Sequence, residues 1–436
     1  YEQVPPEKYD SIDDRFLMNF INEEEREVLA TRYQYFTVNV PVTVFLMRHK
    51  DQRVVPFWLP SSGFEQTTDV IKNAEGYEYE VWKKNFDAGT VELGINGFDK
   101  HRPVYFISVA PQKPGEDLKI TAIYPAQYNL DTLKPGAFTY HDWSGLLLTE
   151  VPDRMIGEVL FTTVRGRARE AHVIGAFRRT PFPSSAMPDQ VMLTWSGPAQ
   201  TTMDIQWRTN TSIPDGTVRY WKKGDQDTMR VEAARQLIQD RMLYNDRYVH
   251  RYTAQLDRLT PGSDYTYQVG STKKGIWTEL NNFQTEAVNT EHFTYVWFGD
   301  THCFPDSGKL VNLAADQNRD AVFYSIAGDN VSTGLYRDDW DKLFQYGGKT
   351  FAHRPLMPVL GNHDRQDGLG AQLYYDLFSL PENGPAVVEP EASYSFEYGN
   401  ALFIMIDATS EVDDHTAWIE ERLKNTKATW KFVMFH

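Results

Sequence analysis

Three short polar signatures, each opened by glycine, hold the residue types that hydrolytic metal chemistry needs. They are Gly299-Asp300-Thr301-His302, Gly328-Asp329-Asn330 and Gly361-Asn362-His363-Asp364, with His436 following further on. Carboxylate, imidazole and amide oxygen are hard-to-borderline donors suited to Mn, Zn or Fe. Two such ions about 3.5–4 Å apart need one shared carboxylate between separate outer ligands. A set of this size divides that way when the shared group is drawn from its middle. A lone Asp-x-His occurs by chance in many chains. Three signatures in order, closed by a histidine after an apolar run, make a strong signal.

Each signature sits at the carboxyl end of an apolar stretch. Phe293–Phe298 precedes the first, Ala321–Ile326 the second, Leu356–Leu360 the third and Phe432–Phe435 the terminal histidine, with Leu402–Ile406 of the same texture. These runs are continuous, as strands covered on both faces require. Helical patterns over Leu310–Gln317, Asp339–Phe344 and His415–Leu423 lie between them, so residues 290–436 read as an α/β domain with a largely parallel or mixed sheet. Asp300 and Asp329 are 29 positions apart and Asp329 and Asn362 are 33 apart. That is about one βαβ crossover, which returns each new ligand to the same sheet edge. The glycine before each polar group is expected to let the backbone turn away from the strand.

The remaining two thirds of the chain have a different texture. At roughly 150 residues per domain, 436 residues predict about three domains. Residues 190–286 give seven or so short alternating strands. Within them Leu259-Thr260-Pro261-Gly262 precedes Tyr265-Thr266-Tyr267, which resembles the corner of fibronectin type III domains. Ala233–Arg241 reads as a helical insertion there, and Pro181–Ser185 as a linker. Residues 1–185 read as a β-rich region behind a short acidic, helical start within residues 1–30. The single cysteine, Cys303, excludes an internal disulfide and a Cys-based zinc cluster. A net charge of −16 disfavours broad nucleic-acid binding, and no apolar run reaches the ~18 residues of a spanning helix. The start at Tyr1 without Met predicts either a removed leader, and with it a periplasmic or secreted protein, or a chain shortened at this end. The stop at His436, on a core strand, predicts that the domain continues.

The ordered signatures resemble those of the calcineurin-like metallophosphoesterase superfamily, over about residues 290–436. A fibronectin-like domain just before the catalytic one, and the Ala417–Leu423 run before Trp430, resemble the architecture of purple acid phosphatases. The resemblance implies a dinuclear centre of two divalent ions (Mn, Zn or Fe) that hydrolyses a small-molecule or polymeric phosphoester through a metal-bridging hydroxide. It assigns Asp300 and His302 to the first ion, Asp329 to both, and Asn362 and His436 to the second. His363 becomes general acid or transition-state donor, and Asp364 orients its ring. Two departures are specific to this chain. His302 stands where purple acid phosphatases have glycine, and Ser332 stands where they have the tyrosine that colours their iron. The reading is therefore the broader metallophosphoesterase type, with the further metal ligands of a G-H-x-H motif expected beyond His436. A silent phosphoesterase-like binding protein is the alternative. Cys303 reads as a small core residue, His292, His353 and His415 as ordinary residues, and Asp306, Arg337 and Arg365 as solvated loop charges. Asp407 reads as a strand-end acid.

Overall fold

The computed structural model describes residues 33–56, 58–97, 101, 103–124, 128–139, 147–162, 178–225, 227–240, 243, 245–365 and 370–436. The acidic start expected within residues 1–30 lies outside them. The chain divides into two compact units, Tyr1–Arg178 and Arg179–His436. Among the described residues no helix is long and apolar enough to cross a membrane.

The first unit is β-rich. Strand Val42–His49 lies inside a seven-stranded sheet, antiparallel to Glu78–Phe86 on one side and to Phe106–Pro111 on the other. Successive side chains of a strand point to opposite faces, and here both faces are covered. Val44 and Leu46 join Phe36 and Val91 of a three-stranded sheet in one core. Phe45 and Met47 enter a second core with Val81 and Leu160.

The second unit opens with a β-sandwich. One sheet runs Asp189–Thr194, Met203–Asn210, Tyr248–Leu256, Ala234–Gln239; the other is built on Thr217–Lys222 and Asp264–Ser271. Tyr265 accepts a hydrogen bond at its hydroxyl from the Thr260 amide, 2.8 Å away, closing the corner read from the sequence. The expected helical insertion is instead an edge strand. Ala234–Gln239 pairs residue for residue with Tyr248–Thr253, so strand pairing overrides the helix preference of Ala, Arg, Gln and Leu. The Pro181–Ser185 segment is stitched down rather than free: Arg208 donates to the Phe182 carbonyl and Ser184 to Asp246.

The α/β part follows. Its strands are β1 (Thr294–Phe298), β2 (Ala321–Ile326), β3 (Tyr394–Tyr398), β4 (Ala401–Ile406) and β5 (Trp430–Phe435). Its helices are α1 (Pro305–Gln317), α2 (Arg337–Phe351), α3 (Gln372–Leu377) and α4 (Thr416–Asn425). β1 and β2 are parallel, β4 is parallel to β5 and antiparallel to β3. The third expected strand is thinner than the sequence suggested. Leu356–Leu360 makes only bridge contacts with β2, where the Met357 and Val359 amides donate to Tyr324 and Ile326. Pro358 has no amide hydrogen to offer a second neighbour, and its carbonyl takes the hydroxyls of Tyr374 and Tyr394.

One continuous hydrophobic core joins the sandwich to the α/β part. Trp195 and Trp207 belong to the same cluster as Phe323, Trp340 and Phe396. Beside it lies a buried charge network. Arg208 reaches Asp189 at 2.6 Å and Asp341 at 2.8 Å, and Arg337 bridges Asp341 and Asp246. Arg337 is therefore not the solvated loop charge that the sequence suggested. It is 1% exposed, inside the first turn of α2.

Candidate metal centre

The loops after β1 and β2 are tied together by their backbones. Thr301 and His302 donate their amides to the Asp329 carbonyl at 3.2 and 3.0 Å, and the Cys303 amide donates to the Asn330 carbonyl. His302, Cys303 and Asp329 all hold positive φ, near 50°. Each such non-glycine residue costs about 1–3 kcal/mol, and strain of this kind gathers where side chains must be aimed. The three signature glycines differ in purpose. Gly328 has φ +84°, a conformation that side chains resist, whereas a Cβ at Gly361 would lie 2.1 Å from the Asp329 amide nitrogen. Gly299 has open space around it and an ordinary φ.

Asp329 is the hub. Its side chain is almost fully buried; one oxygen accepts the His363 amide at 2.9 Å. The other oxygen faces three imidazoles: His436 Nε2 at 3.3 Å, His302 Nε2 at 3.7 Å and His363 Nε2 at 3.9 Å. Asp300 lies 3.6 Å from His302 Nε2 and 3.9 Å from His436 Nδ1. Two groups able to hold a metal ion result, both containing Asp329. One is His302, Asp329 and His363; the other is Asp300, Asp329 and His436, with the ligand atoms of each within 4.8 Å of one another. His302 thus groups with His363, and Asp300 with His436. Asn362 is exposed between Gly361 and His363.

Hydrogen bonds at the far ring nitrogens support this arrangement. His363 Nδ1 is 2.8 Å from the Ser332 carbonyl and His436 Nδ1 is 3.0 Å from the Ala327 carbonyl. A proton on each Nδ1 satisfies the carbonyl and leaves the Nε2 lone pair facing Asp329, as in metal-binding histidines. The group that holds the His363 ring is therefore the Ser332 carbonyl, where the sequence reading placed Asp364. Asp364 is buried and braces the loops: its carboxylate accepts from the amides of Gly361, Asn330 and Val331 and from Asn330 Nδ2. Burial, with the Asp329 charge adding to it, pushes the Asp364 carboxyl up to about 7. Asn330 Nδ2 also donates to the Val359 carbonyl at 2.8 Å, and the Asn330 backbone carbonyl accepts from the Thr301 hydroxyl at 2.7 Å, so this one residue joins all three signatures. Its place beside Asp329 was visible in the sequence, but its role was not.

Other polar residues sort clearly. Cys303 is buried, and burial pushes its thiol up to about 12, so it is a core residue as read. Asp306 is exposed and pairs with Lys309, while His415 is buried against Ser393. Arg365 donates at 2.7 Å to Asp407, which is fully buried. Neither behaves as a solvated charge. The first unit contributes no group of three metal-ligating residues among the described residues.

Residues 188–285 match the family model for the N-terminal domain of purple acid phosphatase, and residues 293–436 match that for calcineurin-like phosphoesterases. Two uncharacterised proteins of Mycobacterium tuberculosis, from strains CDC 1551 and H37Rv, are each 24% identical over 230 residues. Those matches cover 48% of this chain and 42% of each relative, so the chain spans under half the length of the curated relatives it matches. A purple acid phosphatase from yellow lupin (Lupinus luteus) seeds shares the fold at a TM-score of 0.50 and 13% identity. The alignment covers 92% of this chain and 67% of the lupin protein.

Proposed function

Because residues 293–436 form a calcineurin-like phosphoesterase domain behind a purple acid phosphatase N-terminal domain, we propose that this chain hydrolyses a phosphoester at a dinuclear metal centre. The observation that carries the reading is one buried carboxylate, Asp329, common to two clusters of potential ligands, with His302 on one side and Asp300 and His436 on the other. Carboxylates and imidazoles suit divalent Mn, Zn or Fe. Bound here, such ions neutralise phosphoryl charge and lower the pKa of water. Asp300, His302 and His436 complete the shell around Asp329, with Asn362 supplying an amide oxygen at the exposed rim. His363, fixed through Nδ1 by Ser332, presents Nε2 to the substrate and, when protonated, donates to the phosphoryl group. Asp364 acts from behind by locking the loops. The substrate is a phosphoester whose negative charge the ions attract locally, against the −16 of the chain.

Asp329→Ala tests the shared ligand. The wild-type chain should hold close to two equivalents of metal and hydrolyse members of a nitrophenyl monoester and diester panel. The variant should lose both ions and at least about 10³-fold in rate, since metal and positioning disappear together. Undiminished dimetal content in the variant would reject the assignment of Asp329. Full metal content with no turnover of any ester would favour a silent binding domain.

A further inference from the structure

A second polar cleft lies at the opposite end of β2 from Asp329, on the order of 20 Å away at about 3.3 Å per residue. It opens between the carboxyl ends of α1 and α2 and encloses about 730 Å³. Three cations line it, Arg319, Lys349 and Arg354, against one acid, Asp316. None of these four enters an ion pair among the described residues. Such a concentration of uncompensated positive charge runs against a chain whose net charge is −16.

Helix-end compensation does not account for it. A cation near a helix carboxyl end is favourable, and Lys349 in the last turn of α2 serves that purpose. α1 has no basic residue in its last turn, and Arg319 stands beyond its end. Arg354 belongs to neither helix. Its Nε donates to the Ala321 carbonyl at 2.7 Å and its Nη1 to the His353 carbonyl at 2.9 Å. Neutral acceptors therefore hold the guanidinium in place while its charge stays unneutralised. A preorganised guanidinium is the group of choice for the oxygens of carboxylates and phosphates. His353, beside it, is fixed by the backbone of Asn282 through Nδ1.

We propose that this cleft binds a multiply charged phosphorylated small molecule, separately from any substrate at the metal centre. Arg354 forms the fixed anchor, and exposed Arg319 and Lys349 close over the ligand. A cleft of this volume falls in the range of small-molecule sites. The inference does not depend on turnover at the metal centre.

The test is titration calorimetry with methylenediphosphonate, which cannot be hydrolysed, on the metal-loaded full chain. Wild type should show two saturable sites. Asp329→Ala should keep one of them. Adding Arg319→Glu and Lys349→Glu, both on exposed positions, should weaken that remaining site at least about tenfold, as loss of charged hydrogen-bond donors predicts. The same pair of substitutions in the otherwise wild-type chain should remove one site and leave the other. Absence of saturable binding to Asp329→Ala, or binding there that ignores the two charge reversals, overturns the proposal. Cleft binding without a metal-centre site would leave this inference standing and count against the proposed function instead.

Discussion

His363 is covalently adjacent to a proposed ligand and hydrogen-bonded away from it, and that combination makes its role measurable. Its amide caps Asp329 while its ring hangs from the Ser332 carbonyl. If Nε2 donates to the phosphoryl group, His363→Ala should keep near wild-type metal content and lose roughly 10²–10⁴ in kcat. The loss should shrink for leaving groups of low pKa, which need less protonation. Metal assays and kcat over a graded series of aryl phosphates give both readings; metal lost together with rate would make His363 a ligand instead. Ser332 supports a second expectation. Its hydroxyl donates to the His302 carbonyl at 2.8 Å and has no phenolate to offer. Iron-loaded protein should therefore lack an intense visible tyrosinate band, and a purple product would mean that another tyrosine reaches the iron. At this scale the sequence was legible where residue type and short spacing decide. Asp300, His302, Asp329, His363 and His436 converge as their signatures implied. Which of them face one another was not legible, because His302 and His363 meet only through the fold of two separate loops. The Ser332 carbonyl, being backbone, has no side-chain signature at all.

Among the elements, α2 links the sandwich to the metal centre. It starts just after the loop in which Ser332 and Gly334 bond to His363, and its first turns are fixed by charge pairs reaching back to the sandwich. Asp341 is the centre of that contact. It accepts from Arg208, Arg337, Gln190 and Thr180 and is 1% exposed. Removing its charge leaves the buried guanidiniums of Arg208 and Arg337 to share only Asp189 and Asp246, a change worth on the order of 3 kcal/mol. Asp341→Asn should therefore lower the urea midpoint strongly, whereas Asp306→Asn, at an exposed pair, should leave it nearly unchanged. Similar midpoints for both variants would show that the network does not stabilise the contact. Helix α2 was readable from its own periodicity, and the strands before the signatures from their apolar runs. Arg337 was misread as solvated because its partners Asp246 and Asp341 are brought to it from both sides by tertiary structure. Ala234–Gln239 was misread as a helix because only its pairing with Tyr248–Thr253 makes it a strand.

Across the whole second unit, sandwich and α/β part are a single folding problem. Trp195 of the sandwich packs at 5.8 Å from Phe323 and 5.6 Å from Tyr398, and the Leu193 carbonyl accepts the Leu356 amide. Two acids are buried along this junction. Asp204 accepts from Ser379, and Glu391 accepts from the Leu380 amide. Burial pushes the Glu391 carboxyl from its ordinary 4.5 up to about 7, and that of Asp204 from 3.8 up to about 6. The charge on Asp204 adds to the rise at Glu391. At these two sites the folded unit keeps protons that the unfolded chain has already released, so the stability they contribute falls as pH rises from about 4 through 7 and levels off above. For Glu391 alone the loss is on the order of 3 kcal/mol. Glu391→Gln retains an acceptor for Leu380 but cannot ionise. Compared with wild type in thermal melts, the variant should be similar at pH 4.5 and more stable at pH 8. Other titrating groups, including Asp364, cancel in that difference as long as both proteins carry the same metal content. A wild-type-minus-variant gap that does not change with pH would mean that Glu391 ionises normally in the folded chain, and that the junction tolerates its charge.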